Sequence, residues 1–135
     1  MKKGRSNAAL IQLVFAGLTA GLATWFAARL AALANDGPTI EAVNGILSDA
    51  LARGASDVHV EATEHGGLVR FRLDGTLIRH RDLSDVEQLA YVSRIKIMAQ
   101  LNISEKRRPQ DGRAQVALAG RSVDIRISSL PSQFG

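Results

Sequence analysis

A chain of 135 residues with 46% hydrophobic and 22% charged content has room for one globular domain, alone or with a short appendage, and is too apolar to stay disordered. The absence of cysteine excludes disulfide frameworks and thiolate metal centres. The net charge of +4 suggests a polyanion binder, but Lys2, Lys3, Arg5 and Arg29 carry the whole excess; residues 36–135 hold thirteen Lys/Arg against thirteen Asp/Glu, so no nucleic-acid partner is expected.

Ala8 to Ala28 is free of formal charge, with Gln12, Thr19 and Thr24 as its polar exceptions. As one helix it would span roughly 30 Å, the thickness of a bilayer's hydrocarbon core, and Trp25 and Phe26 suit an interfacial anchor. The composition therefore predicts a transmembrane-type helix over about 8–28, with residues 1–36 forming a basic terminus, a membrane helix and a linker. Two other readings of this stretch stand beside it: an apolar helix buried in a partner, and a secretory signal ending at the small-x-small Ala32-Leu33-Ala34. The cations at Lys2, Lys3 and Arg5 would hold the N-terminus in the cytoplasm and place the body outside.

Asn35-Asp36-Gly37-Pro38 reads as a linker. An amphipathic helix is predicted from about Thr39 to Arg53, with Ile40, Val43, Leu47, Ala50 and Leu51 as its apolar stripe and Gly54 as its stop. Asp57 to Glu61 alternates as a half-buried strand does. Val69, Phe71 and Leu73 alternate with charged residues in a second strand, and Asp74-Gly75 turns it into a third at Thr76-Leu77-Ile78. Ser84 and Glu87 form a capping box that opens a helix running to about Leu101. Residues 102–112 read as a charged loop, and 114–118 with 122–127 as a final hairpin about Ala119-Gly120. The expected fold class is α+β, a small and mainly antiparallel sheet with two packed helices over residues 37–135, preceded by the membrane helix.

Asp57, His59 and Glu61 share one face of a strand, but such residues stand roughly 6 to 7 Å apart, too far to hold one small ion unaided, so no metal is expected. Arg70 and Arg72 are placed to meet Asp57 and Glu61 across the sheet. No Gly-x-Ser-x-Gly elbow and no Gly-Lys dipeptide occur, which excludes a phosphate-cradling loop within this chain. The run "EKRRPQDGR", residues 105–113, lacks helical charge spacing. It reads either as a solvated loop or as a loop whose guanidinium forks hold a point anion such as phosphate.

The stretches "VNGILSDALARGASDVHVEA", "VRFRLDGTL", "RIKIMAQLNISEKRRPQDGR" and "VDIRISSLPSQFG" together resemble the hexameric ATPases that power type II secretion and type IV pilus assembly. The resemblance runs in order from Pro38 to Gly135 and covers the PAS-like domain that precedes the ATPase core. Ala62 departs from the proline usual after "HVE". The family's pattern continues past "SLPSQFG" into a core that holds the nucleotide, so the chain is expected to be either a truncated product or a stand-alone relic, with no ATP hydrolysis of its own.

The resemblance implies a regulatory and oligomerisation role. Arg126, then Arg113 and Arg108, would reach the phosphates of ATP bound by a separate core. Partners would be that core, like subunits in a ring, and inner-membrane proteins of the machine. It implies a body in the cytoplasm at a bacterial inner membrane, against the flanking charges, with residues 8–28 as a built-in anchor. The alternative is a membrane-anchored protein-binding module with no nucleotide role.

Overall fold

The computed structural model describes the backbone of residues 8–13, 20–105 and 107–131, and the side chains among these from 26 onward. The described elements are β1 (Ala8–Leu13), α1 (Ala20–Ala34), α2 (Gly37–Ala52), β2 (Asp57–Thr63), β3 (Gly66–Leu73), β4 (Thr76–Leu83), α3 (Asp85–Met98), β5 (Gln110–Leu118) and β6 (Arg121–Pro131). The strands form one six-stranded sheet in the order β4-β3-β2-β1-β6-β5. β2, β3 and β4 pair antiparallel, as do β5 and β6, while β1 runs parallel to both β2 and β6. The class is α+β as expected, with three helices.

Local chemistry sets most boundaries. The Ser84 hydroxyl accepts from the Glu87 backbone N–H, and the Glu87 carboxylate accepts from the Ser84 N–H, so the reciprocal cap predicted for α3 is formed. Asp74 and Gly75 both take positive φ, 51° and 81°, the mirror-image turn that suits two twisted strands. Pro38 lies in the first turn of α2, where its missing N–H costs nothing.

Val43, Ile46, Leu47 and Ala50 of α2, with Ala90, Tyr91, Val92 and Ile95 of α3, cover one face of the sheet. The sheet answers with Val58 and Val60 of β2, Val69 and Phe71 of β3, and Ile125 and Ile127 of β6, all buried. Because side chains alternate along a strand, the intervening residues stand on the opposite, helix-free face.

The helix expected over 8–28 is not what forms. Ala8–Leu13 is a strand at the centre of the sheet, and α1 begins only at Ala20. Among the described residues no helix is long and apolar enough to cross a membrane. The physical reason is an ambiguity of composition. A short, uncharged apolar run suits a strand flanked on both sides by parallel neighbours as well as it suits a helix. The rest of the run extends into α1, whose Leu30 and Ala34 lie one turn apart and are buried, with α1 resting chiefly on α3. Arg94 of α3 donates to the Asn35 side chain at 3.4 Å where α1 ends. The flanking Lys2, Lys3 and Arg5, and residues 14–19 of the expected span, lie outside the described residues, as does the Trp25 side chain.

If α1 is held by burial in this way, Leu30→Ala removes a side chain only 1% exposed and should cost about 2–5 kcal/mol. Urea unfolding followed by circular dichroism checks this; an unchanged midpoint would detach α1 from the domain.

Candidate functional site

The helix-free face of the sheet divides into two halves of different electrostatic character. On β2 and β3 the charges are matched. Asp57 stands opposite Arg72, whose Nε donates to its carboxylate at 3.0 Å. Arg70 reaches diagonally to Glu61 at 2.6 Å. Arg79 of β4 pairs with Asp82 nearby. These are the cross-strand pairs expected for Arg70 and Arg72, and they leave that half neutral.

His59 sits among these groups, 3.6 Å from the Glu61 carboxylate. Burial lowers its pKa below the ordinary histidine value, outweighing Glu61 and Asp57, which raise it; Arg72 and Arg70 push in the same direction as burial. Among the described residues no three His, Asp or Glu side chains come together as metal ligands.

The β5–β6 half is different. Arg113 and Arg126 stand directly opposite each other in the ladder, and both are exposed. The carboxylates nearest in sequence do not pair with them. Asp111 accepts from the Ser128 hydroxyl at 2.7 Å, and Asp124 lies opposite Gln115. No ion pair joins Arg113 or Arg126 to a carboxylate among the described residues. Two like charges opposed on neighbouring strands destabilise the pair of strands. Arg70 and Arg79 are opposed in the same way between β3 and β4, but each of those reaches a carboxylate. Two planar guanidinium forks side by side can take a polyanionic oxygen cluster.

Arg108 is not part of that pair. It precedes β5 in the loop, and its charge acts on Glu105. The backbone N–H of Arg107 donates to the Glu105 carboxylate at 3.0 Å and, as the largest cause, holds its pKa below the usual carboxylate range. Thus "EKRRPQDGR" is partly neutralised within itself, and the structure brings together two of the three arginines singled out from the sequence.

The charged loop is also shorter than expected, because β5 begins at Gln110 rather than after 112. The Gln110 side chain accepts from the Asn102 N–H at 2.9 Å and donates to the Asn102 carbonyl at 3.0 Å, closing the loop as a strand neighbour would. Gly112 lies against α3's end, where an added Cβ would stand 2.9 Å from the Ala99 carbonyl oxygen and 2.9 Å from Leu101 Cδ2. Beneath the loop Lys96, only 1% exposed, donates from Nζ to the Glu105 carbonyl at 3.2 Å. These positioning residues were not singled out from the sequence. Lys96 alone left a signal: it lies four residues after Val92, on the buried face of α3.

Two outcomes follow from this geometry. Arg126→Gln, by removing one of two opposed charges, should raise the stability of the chain by about 0.2–1 kcal/mol at low salt, with the gain shrinking as salt is added. A loss in thermal melts would show that Arg126 is held by its own fold. For His59, the native state binds its proton less readily than the unfolded chain. Its contribution is therefore intact above about pH 6.5 and is lost as pH falls below that. His59→Gln should flatten the decline of the urea midpoint between pH 7 and 5; an unaltered slope would contradict the assignment.

Residues 32–135 match the family model described as "Type II/IV secretion system protein". The chain is 48% identical over 103 residues to the type II secretion system protein E of Dickeya dadantii, covering 75% of this chain and 20% of that protein. It is 50% identical over 103 residues to the type II secretion system protein E of Pseudomonas aeruginosa, with the same coverage. It is 45% identical over 101 residues to the type II secretion system ATPase E of Vibrio cholerae, again over 75% of this chain and 20% of that protein. The chain spans about a fifth of the length of the curated relatives it matches. With the matched stretch running from the end of α1 through β6, the chain belongs to the type II/IV secretion system protein family.

Proposed function

We propose that this chain serves as a regulatory and oligomerisation domain of a secretion or pilus-assembly ATPase, in which Arg126 and Arg113 supply part of a nucleotide-phosphate site completed by a separate ATPase core. The observation that carries the reading is the opposed, exposed and carboxylate-free pair Arg113 and Arg126 on the helix-free face. That a relative is named an ATPase supports taking the triphosphate of ATP as the anion.

The chemistry asked of this domain is modest. Phosphoryl transfer is accelerated mainly by positioning and by stabilising charge on the phosphate oxygens. A core provides the phosphate-cradling loop, which this chain lacks. Arg113 and Arg126, carried on a rigid two-stranded ladder, would approach the phosphates from the other side as the domains close. Arg108, already tempered by Glu105, is a secondary contact in this reading. The body belongs in the cytoplasm at the bacterial inner membrane, where ATP and the other components of the machine are found. Its partners are the core, like subunits in a ring and inner-membrane proteins of the machine.

The purified chain is expected to show no ATPase turnover. Mixed with the separately expressed core of a relative, it should raise turnover above that of the core alone. Arg126→Ala and Arg113→Ala should each cut that gain by about ten- to a hundredfold, the worth of one charge-assisted hydrogen bond at roughly 1.5–3 kcal/mol. Arg72→Ala, which only breaks a pair with Asp57, should leave it intact. If both β5–β6 variants stimulate the core as well as the parent does, the nucleotide role is removed.

A further inference from the structure

The opposed pair Arg113 and Arg126 is flanked by two acids on its own face of the sheet. Strand alternation puts Asp111, Arg113 and Gln115 of β5 on the helix-free face, with Ser128, Arg126 and Asp124 of β6 opposite them in that order. Asp111 is therefore two residues from Arg113 along one strand and diagonal to Arg126 on the other. Asp124 is likewise two residues from Arg126 and diagonal to Arg113. Same-face neighbours at this spacing stand roughly 6 to 8 Å apart, within the reach of a guanidinium on its long stem. Each arginine has a carboxylate close enough to neutralise it, and neither pairs with one.

For Asp111 the ladder supplies a reason. Its Oδ1 accepts from the Ser128 Oγ at 2.7 Å, straight across the two strands. A hydroxyl donating to a carboxylate makes a charge-assisted bond, which is the stronger kind. An ion pair between exposed side chains gains little, because solvent screens it and two long side chains lose rotamer freedom. Asp111, Arg113 and Arg126 are all exposed, so the hydroxyl wins. It directs the carboxylate across to β6 instead of along β5 to Arg113. Without that hydroxyl, the cations nearest to Asp111 in the register are Arg113 and Arg126.

We propose that Ser128 is a positioning residue for the phosphate site: by holding Asp111 across the ladder it keeps the Arg113 and Arg126 guanidinium groups available to an anion. The identity of that anion rests on the nucleotide reading; the restraint itself rests on the ladder alone. Ser128 touches no phosphate and acts only through Asp111. Asp124 stands opposite Gln115 and has no hydroxyl across from it, so it serves as an internal comparison.

The test uses the full chain, inorganic tripolyphosphate as the probe, and the arginine Nε–H signals in nitrogen–proton NMR spectra, assigned through Arg113→Lys and Arg126→Lys. Without anion, Asp111→Asn should move the Arg113 and Arg126 signals further in a Ser128→Ala background than in the parent. In titrations, Ser128→Ala should weaken tripolyphosphate binding about two- to fivefold, the worth of one exposed ion pair that the anion must displace. Ser128→Thr keeps the hydroxyl and should bind as the parent does. Asp111→Asn should raise affinity by a larger factor in the Ser128→Ala chain than in the parent, whereas Asp124→Asn should act by the same factor in both. Equal binding by the parent and Ser128→Ala, or an Asp111→Asn effect of one size in both backgrounds, overturns the proposal and leaves the nucleotide reading standing. If no variant binds tripolyphosphate up to about 10 mM while the anion-free signals respond as expected, the restraint is supported and it is the nucleotide reading that falls.

Discussion

One contact surface governs this molecule: the apolar face of the sheet, where Val58, Val60, Val69, Phe71, Ile125 and Ile127 meet α2 and α3. Burial of a side chain of this size contributes roughly 1.5–3 kcal/mol, so six of them fix the register of three strands against any surface charge. Once that face is fixed, strand alternation sends Asp57, His59, Glu61, Arg70, Arg72, Arg113 and Arg126 to the other side. The charged face is therefore a consequence of the core, and its composition is free to serve function without threatening the fold.

That freedom is used in two ways. On β2 and β3 the charges cancel in cross-strand pairs, and a half-exposed pair of this kind contributes little to stability. On β5 and β6 two guanidinium groups are opposed and left unmatched. The charged side chains of β2 and β3 are half-buried, whereas Arg113 and Arg126 are exposed. The neutral count of the body, thirteen bases against thirteen acids, hides this local excess.

Much of this was legible in the residues. The alternation of Asp57–Glu61 and of Val69–Leu73, the Asp74-Gly75 turn, and the Ser84/Glu87 cap each carry a short-range physical signature, and the structure forms all of them. So does the pairing of Arg70 and Arg72 with Glu61 and Asp57, since the hairpin that joins β2 to β3 sets its own register. What could not be read depends on contacts distant in sequence. Whether Ala8–Leu13 becomes helix or strand is decided by β2 and β6, which lie about 50 and 120 residues away and pair with it on either side. Where the charged loop ends is decided by a side chain, Gln110, imitating a strand partner for Asn102.

The same non-local contacts decide whether the arginine pair exists. In a strand a shift of one residue exchanges the two faces. If β5 slid by one position against β6, Arg113 would turn toward the helices and Gly112 would face solvent. Gly112 resists that slip from one side, because only a residue without Cβ fits against the Ala99 carbonyl and Leu101. Lys96 resists it from the other. A buried ammonium is costly unless hydrogen-bonded, and here it donates to the Glu105 carbonyl of the loop that feeds β5. Moving that loop would leave a charge in the core with one partner fewer. The register that opposes Arg113 to Arg126 is thus held by a glycine and a lysine that touch neither of them.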